Sequence, residues 1–258
     1  MDHIKNFWEN QGKTFEESHT ASWGDRFAIE LEVEAIGRHI KAGDKVLDIG
    51  CANGFSTFRQ IEKQPGASYT GIDYADSMIE HANRALAAKN LSKDKARFAV
   101  ASILDLPFDD GEFDVAYTTR VLINLPTWEQ QQQGIQESLR VVKKGGVLVV
   151  SEAFWEPLCM VNAMRLLMRL EPLVEHDFNR YLKKSVLEAW LKDRKLRFQN
   201  DEFSSVYYLG SRVLREFLQE EELPYGDYSS PVNKAFYELE QKFSGGKTSV
   251  QQAYIIEK

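Results

Sequence analysis

From Lys45 to Ser151 the chain alternates short apolar, β-branched runs with longer stretches of helical spacing, and this alternation restricts the fold more than any other feature. The runs are Lys45-Val-Leu-Asp-Ile-Gly50, Ser68-Tyr-Thr-Gly-Ile-Asp73, Ala96-Arg-Phe-Ala-Val-Ala101, Phe113-Asp-Val-Ala-Tyr117 and Gly146-Val-Leu-Val-Val-Ser151. Strands that are apolar on both faces must be covered on both, and strands separated by helices pair in parallel. Helices are expected from about Ser56, from about Asp76, and after Thr127, which precedes Glu129 and Gln130 as an N-cap. Five such strands predict a doubly wound α/β sheet.

The flanking segments extend this core. Trp23, Phe27, Leu31 and Ala35, joined by Ile36 and Ile40, form one apolar helical stripe before the first strand. Residues 157–195 read as helical, with Met160, Met164, Leu167 and Met168 apolar and Arg165 and Arg169 between them, where a cap over a ligand crevice would sit. The tail reads as a strand over Leu196–Tyr208, helices over Arg212–Glu221 and Val232–Phe243 separated by a turn at Pro224, and a last strand over Ser249–Ile256. The expected fold class is therefore α/β: a seven-stranded, mostly parallel sheet with an antiparallel edge strand and a helical cap insertion. One domain is expected over 1–258, divided into an N-terminal helical lid (1–40), a core (41–155), the helical cap (156–195) and a completing region of strands and helices (196–258).

At 258 residues the chain has room for one such domain and not for two independent enzymes. Its 32 basic and 39 acidic side chains give a net charge of −7, with no basic stripe, which argues against nucleic acid as a partner. Cys51 and Cys159 lack metal-ligand spacing, so neither a disulfide framework nor a zinc site is expected. With no signal-type start and no long apolar run, the reading is cytoplasmic, without membrane contact.

The first run ends in Val46-Leu-Asp-Ile-Gly-Cys-Ala-Asn-Gly-Phe-Ser-Thr57. Small residues at Gly50, Ala52 and Gly54 allow a sharp turn and close approach to a ligand just before a helix N-terminus, the methyl of Ala52 being tolerable if its φ is negative. The second run ends in Asp73, suited to accepting both hydroxyls of a ribose at the carboxyl end of a strand.

Over residues 40–155 these motifs resemble the class I S-adenosylmethionine-dependent methyltransferases, a Rossmann-like fold. Ala101-Ser-Ile-Leu-Asp-Leu-Pro-Phe108, Phe113-Asp-Val115 and Arg140-Val-Val-Lys-Lys-Gly-Gly-Val-Leu-Val149 follow in the order of that family. The resemblance implies S-adenosyl-L-methionine as cofactor and S-adenosyl-L-homocysteine as product. Gly50, Cys51, Ala52 and Gly54 would line the methionine and ribose part, Asp73 would hold the ribose and Tyr74 would flank the adenine. Ser102 and Ile103 would meet the adenine edge, and Thr119 and Arg120 would lie near the methionine. Trp23, Asp48, Met78 and Leu104 complete the implied cofactor set, Asp48 either touching ligand or orienting the glycine loop from behind. Ser102 stands where the family often has Asp, which implies weakened adenine recognition.

Methyl transfer from a sulfonium is an in-line displacement, and a hydroxyl acceptor benefits from a base. The catalytic candidates are His19, before the first stripe, His176 and Tyr181 in the cap region, and Arg120 and Glu152 at the ends of the fourth and fifth strands. His3, His39 and His81 are placed on the surface. Asn124, Asn162, Arg165, Asn179, Arg180, Tyr207, Tyr208 and Arg212 are expected to converge on the crevice. Because arginine forks suit carboxylate and phosphate, they point to an anionic or sugar-linked substrate. Phe15, Trp23 and Arg26 are expected in a lid. The function expected is methyl transfer to O or N of a small molecule by a monomer or homodimer, with no metal. A nicotinamide-dependent oxidoreductase and a cofactor-binding regulator without catalysis are the alternatives; the first would open with a full G-x-G-x-x-G, which this loop lacks.

Overall fold

The computed structural model describes residues 2–219 and 227–258. Seven strands form one sheet: β1 (Lys45–Ile49), β2 (Ser68–Asp73), β3 (Ala96–Val100), β4 (Phe113–Thr119), β5 (Val142–Ala153), β6 (Arg197–Asp201) and β7 (Gln251–Glu257). Their order is β3-β2-β1-β4-β5-β7-β6. The first five pair in parallel, and β7 runs antiparallel to both neighbours, β5 and the edge strand β6. The seven-stranded, mostly parallel sheet is the one expected.

Alternation along the strands feeds two cores. Val46, Tyr69 and Val149 point to one face, under α2 (Arg26–Gly37), α3 (Phe55–Lys63) and α4 (Asp76–Ala88). Leu47, Ile49, Leu148 and Val150 point to the other, under α5 (Trp128–Val141) and α7 (Lys184–Asp193). Thr127 caps α5 as expected, its hydroxyl accepting from Gln130 N. The expected apolar stripe becomes α2, with Trp23 just ahead of it, and α2 is buried on nearly every side.

Several sequence expectations are corrected. Ahead of α2, within the helical lid expected over 1–40, lies a separate helix whose bounds were not read from the sequence, α1 (Asp2–Phe15). The stretch 157–195 is not one helix: α6 (Trp155–Leu167) stops at Arg169, which takes a φ of 61°, and Pro172 bars its resumption before α7. The strand expected to Tyr208 ends at Asp201, because β7 offers partners only to 197–201. The chain then turns inward as α8 (Ser205–Leu209), where the buried Glu240 carboxylate accepts from Tyr207 N. A π-helical turn (Gly210–Leu214) and α9 (Arg215–Leu218) replace most of the helix expected over Arg212–Glu221. The rest of that helix and the Pro224 turn lie outside the described residues. The final helix, α10, spans Pro231–Lys242. His81, placed on the surface from sequence, is buried on α4.

Candidate active site

At the carboxyl ends of β1–β4 lies a largely apolar cavity of about 290 Å³. Its floor comes from the β1 loop (Ile49–Asn53, with Phe55 and Ser56), from Ile72–Tyr74 after β2, from Ala101–Leu104 after β3, and from Thr119–Val121, Asn124 and Leu125 after β4. Its roof is α1, through Ile4, Lys5 and Trp8, with Ser22 beside them.

The β1 loop has a strict local geometry. Gly50 sits at φ 78°, and a Cβ there would stand 2.0 Å from Val121 Cγ2, so both conformation and space demand glycine. Ala52 does not meet the condition of a negative φ: it adopts 48°, a left-handed conformation that L-residues take at a cost of about 1–2 kcal/mol. Its N–H donates to Asp73 Oδ2 at 3.0 Å, which holds it there. Asp73 Oδ1 accepts from Ala75 N at 2.9 Å. Burial pushes the Asp73 carboxyl up to about 6, against the backbone N–H groups that hold it down. Above that pH it is an anion on the cavity wall with lone pairs left for a ligand's hydroxyls.

Behind the loop, Asp48 is fully buried and lies outside the cavity wall. It accepts from Thr57 Oγ1 at 2.6 Å, and burial raises its pKa to about 7. This is the orienting position, not the ligand-touching one. Gly54 and Met78 also stand behind the wall, Gly54 packed among Phe58, Phe98 and Ala82, and Met78 against Trp8 and Ala52. Cys51 reaches the cavity, but burial raises its thiol pKa well above the usual range, which excludes a thiolate. Ser102 uses its hydroxyl to accept from Leu104 N at 3.2 Å.

Arg120 stands beyond β4 at φ 58°, its guanidinium 4.6 Å from the Trp23 ring centroid and 3.3 Å from the Glu32 carboxylate. Glu152, expected to open toward the crevice, is instead fully buried behind this turn. Its carboxylate accepts from Thr118 Oγ1 and from the N–H groups of Val121, Leu122 and Ile123. It therefore shapes the loop and cannot reach a substrate, and burial lifts its pKa to about 7.

The expected convergence of the cap and tail residues is likewise corrected. Arg212 pairs with Asp25 at 2.5 Å inside a cluster with Tyr207, Tyr208 and Tyr228, and Arg165 donates to the carbonyls of Glu171 and Arg212. Asn162 closes on the backbone of Leu173. Tyr181 packs against the core beside Glu175, which accepts from its N–H. Asn179, Arg180 and His176 line a second, more open hollow between α6 and residues 173–180. His176 stacks on Phe178 and Phe7, and His19 on Phe55, so neither histidine lines the main cavity. Burial and the nearby Arg26 charge hold the His19 imidazole below 6.5, in its neutral form. Phe15, expected in the lid, is exposed.

The roofing part of the lid expected over 1–40 is α1, and its contact strip, which sequence reasoning did not single out, is Ile4, Trp8 and Gly12, recurring every fourth residue. Glu9 accepts from the N–H groups of Asp76 and Ser77 at 2.6 and 3.1 Å, which caps α4 from a neighbouring helix. Gly12 lets the two helices touch: a Cβ there would lie 2.5 Å from Ser77 Oγ. The buried Asn53 amide donates to the carbonyls of Glu16 and Ser18, both at 2.7 Å, and ties the end of α1 to the β1 loop.

The cavity wall fits a nucleoside with an amino-acid tail. Three residues that line the cavity, Trp8, Tyr74 and Arg120, carry buried donors without a hydrogen-bond partner, Nε1, Oη and Nε, which suit a ligand class rich in acceptors, and Asp73 offers the complementary acceptor for a diol.

Comparison with known proteins bears on the same region. A family model described as a methyltransferase domain matches residues 40–202. The 27-O-demethylrifamycin SV methyltransferase of Amycolatopsis mediterranei is 30% identical over 151 residues, covering 58% of this chain and 51% of that protein. The chloroplastic tocopherol O-methyltransferase of Arabidopsis thaliana is 31% identical over 146 residues, covering 57% and 39%. The chain thus spans about half or less of the length of these curated relatives. Among solved structures, the geranyl diphosphate C-methyltransferase of Streptomyces coelicolor A3(2), determined with geranyl diphosphate and S-adenosyl-L-homocysteine, superposes with a TM-score of 0.56 at 18% identity. That match covers 88% of this chain and 77% of the other. Sheet order, glycine loop, Asp73 and the family match over more than half its length together make this chain a member of the class I S-adenosylmethionine-dependent methyltransferases.

Proposed function

We propose that this protein transfers a methyl group from S-adenosyl-L-methionine to an oxygen or nitrogen of a small molecule. The observation that carries this reading is the cavity itself, partly roofed by α1 and lined by both Asp73 and Arg120. A partly roofed, mainly apolar space suits a small acceptor better than a polypeptide laid in an open trough. The bound cofactor supplies an electrophilic methyl on a sulfonium.

The protein's own contribution is to hold and to exclude. Asp73 and the β1 loop fix the nucleoside, Arg120 and Asn124 border the far end, and Ile4 and Trp8 keep water from the reacting groups. Orientation of this kind can supply about 7–11 kcal/mol. Among the described residues no histidine lines the main cavity, so the reading assigns its rate to positioning and leaves proton removal to an acceptor that ionises easily, such as a phenol, or needs none, such as an amine. Of the arginines that suggested an anionic acceptor, Arg165 and Arg212 are engaged elsewhere in the fold, which moves the substrate class toward an apolar body carrying the nucleophile. The relatives named above act, by their names, on a rifamycin and a tocopherol, in keeping with that class. We further propose a single domain working in the cytoplasm.

Calorimetric titration with S-adenosyl-L-homocysteine, with NAD as control, tests the cofactor reading: binding of the first alone is expected, and binding of NAD alone overturns it. Transfer of a labelled methyl group to a panel of phenols, alcohols and amines then tests the acceptor reading. Binding without transfer to any member would favour a cofactor-binding regulator.

A further inference from the structure

We propose that Glu32, on α2, is a positioning residue that acts through Arg120 to hold the carboxylate end of the cofactor; this rests on the S-adenosyl reading of the cavity. Glu32 is 1% exposed. Its Oε1 accepts from Ser151 Oγ at 2.6 Å and from Gln251 Nε2 at 2.8 Å. Its Oε2 has no hydrogen-bond partner and lies 3.3 Å from Arg120 Nη2, the one cation within ion-pair reach among the described residues. Two neutral donors steady the carboxylate, and Arg120 alone balances its charge.

The other half of the pair is a cavity residue. Arg120 rests on the Trp23 ring and has its Nε buried without a partner. Because the contact with Glu32 is not aligned as a hydrogen bond, Glu32 fixes where the guanidinium stands without using up its donors. The sheet order places β1 between β2, which ends in Asp73, and β4, which leads into Arg120. Two strand spacings set these opposite charges about 10 Å apart across the crevice. A nucleoside whose diol meets Asp73 and whose tail runs over the β1 loop brings its α-carboxylate toward Arg120. Without the Glu32 charge, only the Trp23 ring is left to hold the guanidinium in an apolar wall, and it turns toward water.

The test compares two ligands that differ only in the tail. S-adenosyl-L-homocysteine has the amino-acid group; 5′-methylthioadenosine keeps the nucleoside and the thioether and lacks it. Titration calorimetry on wild type, Glu32→Gln, Arg120→Met and the double variant, each checked for fold by circular dichroism, gives the comparison. Glu32→Gln is expected to weaken S-adenosyl-L-homocysteine at least tenfold and to change 5′-methylthioadenosine less than twofold. Arg120→Met is expected to do the same, and adding Glu32→Gln to it is expected to change neither ligand further. Equal loss of both ligands, or tighter binding of S-adenosyl-L-homocysteine by Glu32→Gln, overturns the proposal, since the first marks general damage and the second a repulsive role. If Glu32→Gln does not fold, Arg120→Met and the double variant, which removes both buried charges together, decide it. Wild-type affinity in Arg120→Met, or a further selective loss in the double variant, overturns it. Wild-type protein that binds neither ligand refutes the S-adenosyl reading itself, a distinct outcome.

Discussion

Replacing Asp73 by Asn separates what the carboxylate costs the fold from what it offers a ligand. Burial raises its pKa from the usual 3.8 to about 6, and at 1.36 kcal/mol per pH unit the ionised form carries about 3 kcal/mol of penalty. The side chain is only half-buried at the cavity wall, and water there screens part of this, leaving about 2 kcal/mol. Because the folded pKa lies above the unfolded one, the group's contribution to stability is fullest below pH 3.8 and falls away as pH rises through 6. An amide removes that penalty at pH 7.5. It also turns an N–H toward Ala52 N or Ala75 N, which now donate to the two oxygens, at a cost of about 1–3 kcal/mol. The two effects nearly cancel, so Asp73→Asn is expected to unfold within about 1 kcal/mol of wild type. Binding has no such cancellation. A diol that gives two hydrogen bonds to an anion loses about 3 kcal/mol, a little over a hundredfold in Kd. Urea denaturation and calorimetry with S-adenosyl-L-homocysteine at pH 7.5 measure the two quantities. A variant destabilised by 3 kcal/mol or more whose affinity is unchanged would refute the reasoning and leave Asp73 as a structural support of the β1 loop.

Three further expectations concern the lid and the buried acids. Asn53→Ala removes two 2.7 Å bonds to carbonyls of the α1 exit and should cost about 2–3 kcal/mol in urea unfolding; a cost under 0.5 kcal/mol would mean that the tie is idle. Gly12→Val drives a branched side chain into Ser77, about 1–3 kcal/mol of overpacking. It should undock α1, seen as faster amide exchange over residues 4–15 with β1–β5 unchanged; equal protection throughout would contradict the close contact. Asp48, Glu152 and Glu240 are each raised by burial to about 7 and Asp73 to about 6. Their stabilising contribution therefore falls as pH climbs from about 4.5 to 7, opposed only in part by His19 and His39, which burial holds below 6.5. The urea midpoint should drop between pH 5 and pH 7, and a rising midpoint would contradict the shifts.

What the sequence made legible follows the strength of its local signals. The five parallel strands were readable because both-face burial writes continuous apolar runs such as Val147-Leu-Val-Val150, and the ends of those runs placed the β1 loop, Asp73, Ser102 and Thr119 on one crevice. A helical lid over 1–40 was readable, but the strip that docks it was not, because α1 buries little beyond Ile4, Trp8 and Gly12. Its docking rests on capping and on a glycine contact, neither of which produces an apolar run. The cap was over-read for the opposite reason. Helical spacing over 157–195 is real in its two halves, but Pro172 between them decides the path of the chain, and the arginines and tyrosines around it find partners across the fold that no spacing rule reveals.

Glu152 and Ser151 show why a strand end alone does not say what a residue touches. Successive side chains of β5 point to opposite faces, so Ser151 reaches Glu32 while Glu152 turns to the amides of Val121, Leu122 and Ile123. The Ser151 carbonyl accepts from Arg120 N at 2.9 Å. Arg120 is thus bracketed by two buried acids, one setting the turn that follows it and the other facing its guanidinium. A non-glycine residue at φ 58° persists only where its surroundings over-determine it, and here the four bonds to Glu152 supply that. Removing the Glu152 carboxylate should therefore release the backbone strain and misplace Arg120 and Asn124 together, whereas removing the Glu32 charge leaves the turn intact and frees the guanidinium alone. The two acids, adjacent in effect, act on different degrees of freedom of one residue.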